Sequence, residues 1–139
     1  MATPEEILEK TWGYTHFRPL QKDIIDAVLA GNDTLALLPT GGGKSICFQV
    51  PALALEGVCL VITPLIALMK DQVEQLKRRN VLASAIYAGL SPTEVDYTLD
   101  NCIYGQTKFL YLSPERLQSE LVKVRAQKMK IGLLVVDEA

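Results

Sequence analysis

Leu38-Pro39-Thr40-Gly41-Gly42-Gly43-Lys44-Ser45 follows an apolar, strand-like stretch and precedes a helix-like one. Consecutive glycines let a backbone curl without Cβ clashes, so several amides can converge on one anion. A helix beginning near Lys44 adds the positive end of its dipole. The ammonium of Lys44 can reach terminal phosphates, and the hydroxyl of Ser45 can sit on a magnesium ion. The pattern is a phosphate-binding P-loop whose binding residues are Thr40, Gly41, Gly42, Gly43, Lys44 and Ser45. It departs from GxxxxGK[ST] at its first position, where Leu38, followed by Pro39, stands in place of glycine. A flexible turn that merely contains glycines and a lysine is the bland alternative, and the strand-loop-helix setting argues against it.

Outward from that loop, 139 residues bound the chain to at most one domain, with room for a real core. Its 49% hydrophobic and 22% charged composition is that of a soluble globular protein. No apolar run is long enough to span a bilayer and no secretory signal opens the chain, which predicts a cytoplasmic protein. Cys47, Cys59 and Cys102 lie far apart and are odd in number, so reduced buried thiols are expected. His16 is the only histidine, which excludes a histidine-based metal site and a Ser-His-Asp triad. At a net charge of −2 no global positive field advertises nucleic acid, so any such binding must come from local geometry.

Strand-like and helix-like patterns alternate from residue 34 onward. Residues 34–38, 58–62, 84–87, 108–112 and 131–136 are short, mostly apolar, and rich in Val, Ile, Leu or Tyr. Strands apolar on both faces predict a parallel sheet covered by helices on each side. Between them, Thr63-Pro64 supplies an N-cap and a proline at the first helical position, and Lys77-Arg78-Arg79-Asn80 fits a helix C-terminus. Ser91-Pro92-Thr93-Glu94 has capping-box spacing, with Val95, Leu99, Cys102 and Ile103 as a buried stripe. Ser113-Pro114-Glu115 opens another helix. Upstream, Thr3-Pro4-Glu5-Glu6 caps a short helix and Pro19 begins one that ends at Gly31-Asn32. Pro51 is expected to kink or end the helix after the loop. The expected architecture is α/β, doubly wound, with the P-loop at the carboxyl end of its first strand.

Residues 131–136 run directly into Asp137-Glu138. A P-loop NTPase uses such a carboxylate pair opposite its phosphate loop: Asp137 holds magnesium through its water shell, and Glu138 orients or deprotonates the attacking water. Alone, the pair also reads as a solvated strand end. Joined to an upstream P-loop, the catalytic reading prevails.

WGYTHFRPLQ (12–21), LLPTGGGKS (37–45), VITPLIALMKDQV (61–73), YLSPERL (111–117) and VVDEA (135–139) stand in the order and spacing of the RecQ family of superfamily 2 DNA helicases. The chain resembles that family over essentially all its residues. The resemblance implies a RecA-like P-loop fold, with residues 1–139 forming part of the first RecA-like domain. It implies ATP and Mg2+ as cofactors, single-stranded or forked DNA as partner, and ATP-driven 3′–5′ unwinding in recombination and repair, in a bacterial cytoplasm or nucleoid. Lys44 and Glu138 would be catalytic, with Ser45 and Asp137 holding the metal. Gln21 would hydrogen-bond the adenine edge through its amide, the ring of Tyr14 would stack on the base, and Arg18 would support base or phosphate. Without the resemblance, Trp12, Tyr14 and Phe17 read as core aromatics; the resemblance reverses this for Tyr14 but not for Trp12. Single-stranded DNA contacts are implied at Thr63, Pro64, Ser113 and Arg116, with Lys70 adding a positive charge. Helix capping accounts for the same TPL and SPE residues, and both readings can hold together. Lys77, Arg78, Arg79, Lys123, Arg125, Lys128 and Lys130 read as solvated surface charges.

The chain departs from the family in stopping at Ala139, before the histidine of the DEAH motif and before the second RecA-like domain with its arginine finger. The expectation is a piece, truncated at that motif, that binds nucleotide but whose ATP hydrolysis and unwinding are absent or barely detectable. In RecA-like folds the strand after the paired carboxylates inserts between the P-loop strand and the carboxylate strand. A central gap or two unpaired sheet edges, and self-association through them, are therefore expected. Two other classes compete. A small phosphotransferase such as a nucleoside kinase needs an acceptor pocket and lid arginines, and neither is visible. A non-catalytic nucleotide- or DNA-binding module with a relic P-loop is the stronger alternative.

Overall fold

Residues 2–38 and 43–137 are described by a computed structural model, and the chain divides into two units, Met1–Leu55 and Glu56–Ala139. In the first unit, α1 (Pro4–Trp12) starts where Thr3 accepts a 3.2 Å hydrogen bond from the amide of Glu6. It stops at Gly13, whose φ of +80° suits glycine and turns its amide onto the carbonyls of Leu8 and Glu9. Helix α2 (Gln21–Leu29) begins later than Pro19, because Leu20 sits at φ +75° and breaks any helical run through it. Helix α3 (Ile46–Ala54) carries Pro51 in its interior and continues past it, so of the two expected outcomes, a kink or an end, the end does not occur. The proline removes the one donor that would reach the carbonyl of Cys47, but the next turn re-forms with Leu55 donating to the Pro51 carbonyl at 3.0 Å. Burial holds the helix: Ile7, Leu8, Ile25 and Val50 form one cluster, with Trp12 and Phe17 packed against it. Tyr14 stays 53% exposed, so the aromatics divide into two that pack and one that faces out.

The strand expected at 34–38 is not formed. Leu35 and Leu37 are 81% and 80% exposed, and no described residue pairs with the segment. An apolar β-branched-poor run gains strand geometry only from a hydrogen-bonded neighbour, and the pattern alone cannot supply one.

The second unit holds β1 (Val58–Ile62), α4 (Ile66–Arg78), β2 (Ala83–Ile86), α5 (Pro92–Tyr104), β3 (Phe109–Leu112), α6 (Pro114–Leu117), α7 (Glu120–Ala126) and β4 (Ile131–Val136). The strands form a parallel sheet in the order β2-β3-β1-β4. On one face Leu60, Ile62, Leu110 and Leu112 pack with Val95, Leu99 and Cys102 of α5 and Val122 of α7. Side chains alternate along a strand, so Tyr111 points to the other face, where its hydroxyl donates to Gln72 of α4 at 2.6 Å. Helices therefore cover both faces, as the doubly wound reading requires. The capping box at Ser91 and Glu94 is present. Helix α4 ends at Arg78, with Asn80 at φ +62°.

Three sequence expectations need correction here. Helix α4 starts at Ile66 with Leu65 as its N-cap residue; Thr63 instead accepts from the amide of Leu65 at 3.4 Å, a local turn that places Pro64 ahead of the helix. Strand β4 is not buried on both faces, for Ile131, Leu134 and Val136 are 42%, 61% and 59% exposed. It pairs only with β1 among the described residues and so forms one edge of the sheet. Arg125 is not a solvated charge: its guanidinium donates to Asp96 and Asp100, one turn apart on α5, and ties α7 to that helix.

The three cysteines are free and buried. Burial pushes the Cys59 thiol up to about 12 and the Cys102 thiol up to about 11, and raises that of Cys47. Since the thiolate is the nucleophile, DTNB at mildly alkaline pH should leave the native chain unlabelled and titrate all the thiols in guanidinium. Rapid labelling of Cys59 or Cys102 in the native state would show that the β-sheet core opens freely.

Candidate functional site

Each unit carries one part of the chemistry. In the first, Gln21 opens α2 and is only 2% exposed. Its Oε1 accepts from the amide of Arg18 at 2.8 Å, and its Nε2 donates to the carbonyl of Gly43 at 3.1 Å. The amide thus links the 12–21 element to the last glycine of the loop, 22 residues away. An amide has two N–H donors and two carbonyl lone pairs, so one bond on each side leaves chemical capacity for a base edge. Gly43 has φ +74°, and a Cβ there would lie 2.3 Å from Gln21 Nε2, so this glycine is needed both for its backbone and for the close approach.

Lys44 and Ser45 follow, half-buried, at the start of α3. The amides of Cys47 and Gln49 donate to the carbonyls of Lys44 and Ser45, so the main chain here is already turning into the helix. Ser45 occupies the N-cap position without using its hydroxyl as a cap. Arg18 and Tyr14 are exposed beside Gln21 in sequence. Thr40, Gly41, Gly42 and Glu138 lie outside the described residues.

In the second unit the polar groups gather at the carboxyl rim of the sheet. Thr63, Ser113 and Asp137 each follow a strand directly, and they are 2%, 3% and 9% exposed. Register aligns them, since Ile62 pairs with both Leu112 and Val136. The ladder also runs one residue past the strands: Thr63 donates to Leu112 at 3.0 Å and Asp137 to Ile62 at 2.9 Å. Three oxygen-bearing side chains therefore stand on neighbouring strands, about 5 Å apart by strand spacing. The Ser113 hydroxyl accepts from Arg116 at 3.4 Å and caps α6, while the Thr63 hydroxyl holds its local turn. Both hydroxyls are engaged in capping or turning, and Pro64, the half-buried Arg116 and the exposed Lys70 are what the rim presents outward. Lys70 Nζ stands 4.6 Å from the centre of the Tyr87 ring.

Among the described residues no group of three His, Cys, Asp or Glu side chains can hold a metal ion. Magnesium takes hard oxygen ligands, keeps several waters and relies on substrate phosphates for the rest. Ser45 and Asp137 offer oxygen donors of that kind. Among the described residues no helix is long and apolar enough to cross a membrane.

Two features escaped the sequence reading. The Gln21–Gly43 bond joins residues too far apart for any local pattern to announce. Lys108 donates to the Gly57 carbonyl at 2.9 Å, and burial lowers its ammonium pKa. It stands at the amino end of the sheet, away from the rim.

The family model for DEAD/DEAH box helicases matches residues 18–139. The chain is 50% identical over 137 residues to the ATP-dependent DNA helicase RecQ of Synechocystis sp., covering 97% of itself and 29% of that protein. It is 44% identical over 140 residues to the probable ATP-dependent DNA helicase RecS of Bacillus subtilis, covering 100% of itself and 28% of the relative. A plant relative, the ATP-dependent DNA helicase Q-like 5 of Arabidopsis thaliana, is 38% identical over 135 residues, of which the chain covers 15%. The chain spans under a third of the length of these curated relatives.

Proposed function

Because the chain belongs to the DEAD/DEAH box helicase family, we propose that it supplies the ATP-binding part of a RecQ-like, ATP-dependent 3′–5′ DNA helicase acting in recombination and repair. The observation that carries this reading is the link from Gln21 to Gly43, which ties a base-reading amide to the phosphate loop within one unit. Lys44 contributes its ammonium to the terminal phosphates, and the α3 N-terminus adds its dipole. Gln21 selects adenine with Tyr14 stacked on the ring and Arg18 beside it. Ser45 in the first unit, and separately Asp137 in the second, would each offer an oxygen ligand to magnesium, which would neutralise phosphate charge. Glu138 is the residue to orient the attacking water.

Single-stranded or forked DNA runs over the carboxyl rim of the second unit. Main-chain groups after Thr63 and Ser113 and the charges of Lys70 and Arg116 hold phosphates without reading bases. The open side of β4, with Leu134 and Val136 exposed, favours self-association of the chain. A bacterial cytoplasm or nucleoid is the corresponding location.

Labelled oligo(dT) titrated into the full chain at several salt concentrations tests the DNA half of this reading. Arg116→Ala and Lys70→Ala should each weaken binding and lower the salt slope by about one. Unchanged affinity and slope in both variants would remove DNA from the rim.

A further inference from the structure

Tyr87 follows β2 directly, as Thr63 follows β1 and Ser113 follows β3. Register places the three at one level, since Leu112 pairs with both Ile62 and Ile86, and the Ser113 amide donates to the Ile86 carbonyl at 3.3 Å. The half-buried Tyr87 thus sets an aromatic ring on the same carboxyl rim as the two hydroxyls. Helix α4 begins at that rim and runs back along the sheet, and Lys70 on its second turn reaches the ring, with its Nζ 4.6 Å from the ring centre. That distance is a cation–π contact.

The ring decides between two places for one ammonium. Glu74 stands one turn deeper on α4, at the i,i+4 spacing that favours a lysine–carboxylate pair, and Glu94 lines the same cleft. Neither carboxylate takes Lys70: Glu74 pairs with Arg78 at 3.7 Å, and Glu94 accepts from the Ser91 amide at 3.2 Å in the capping box. Lys77, which also lines the cleft, lies deeper on α4 and carries a like charge. We infer that Tyr87 is a positioning residue: its ring holds the Lys70 ammonium at the rim, where it meets a DNA phosphate, instead of letting it fold back onto Glu74. The inference rests on the reading of this rim as the DNA path. A lysine already held in place gives up less side-chain freedom on binding than a mobile one, so the ring raises affinity without touching DNA.

The test is a double-mutant cycle in which oligo(dT) is titrated into the full chain at several salt concentrations. Tyr87→Leu is expected to weaken binding about threefold, the size of one exposed cation–π contact, and to lower the salt slope toward that of Lys70→Ala. In the Lys70→Ala background the same substitution should change nothing. Tyr87→Phe should bind as the parent does, because the ring face and not the hydroxyl holds the cation. An equal loss in both backgrounds would mean that the ring meets DNA itself and overturns the inference, as does parent-like binding by Tyr87→Leu. In that last case Lys70→Ala keeps its own effect and the rim reading survives, whereas a parent that does not bind oligo(dT) removes both. The NMR spectrum of the parent decides the matter even where Tyr87→Leu does not fold. The Lys70 Hε resonances should lie upfield of their ordinary position, shielded by the ring, and unshifted resonances overturn the inference.

Discussion

Lys44→Ala is expected to weaken ATP binding by about 100-fold while leaving the fold unchanged. An ammonium on a terminal phosphate is a charge-assisted contact, worth about 3 kcal/mol when its partner is left without it. The Lys44 carbonyl, which alanine keeps, accepts from the Cys47 amide at 3.1 Å. A half-buried lysine at the start of α3 can therefore be truncated without opening a core cavity. Isothermal titration of both proteins, with a thermal melt of each, separates the two effects. Affinity within threefold of the parent would mean that Lys44 does not meet the phosphates.

The largest effect on stability is expected at a residue far from that chemistry. Gly57 precedes β1 at φ +92°, and a Cβ there would lie 2.5 Å from the Lys130 carbonyl and 2.9 Å from the Gly132 amide. Both contacts are backbone, so no side chain can swing aside. The Val58 amide donates to that same Lys130 carbonyl at 2.8 Å, and the β1–β4 register shifts at this point. Gly57→Ala must strain φ and push β4 away at once, costing about 3–5 kcal/mol. A fall in Tm of roughly 10 °C or more should follow. A melt within about two degrees of the parent would show that β4 can shift at little cost, contrary to the paired ladder described here.

Much of this molecule is legible in its sequence because the informative signals are local. The Ser91 capping box, the α4 terminus at Arg78 and the apolar runs at 58–62 and 131–136 are each set by neighbours a few residues apart. The misses have a common physical cause, in that they depend on partners distant along the chain. Residues 34–38 have strand composition but no described neighbour to pair with, so composition misleads. Arg125 carries no mark of burial until Asp96 and Asp100 face it from another helix. Pro51 is tolerated because burial of α3 outweighs one lost hydrogen bond.

The same division runs through the candidate site. The order Gly43-Lys44-Ser45 is by itself what suggests phosphate binding in the sequence. Gln21 can be suspected from the stretch that contains it, but its grip on Gly43 is visible only in three dimensions. Thr63 and Ser113 follow the same rule in reverse. Their positions after strands are plain in the sequence, whereas the engagement of their hydroxyls in a turn and a cap is not.

Calorimetric titration of the full chain with ATP and then GTP, each with magnesium, tests the central claim most directly. The account predicts saturable ATP binding at a single site, at least about tenfold tighter than GTP, since an amide engaged with one base edge disfavours another that leaves it unpaired. No measurable ATP binding, or equal affinity for the two nucleotides, would contradict it.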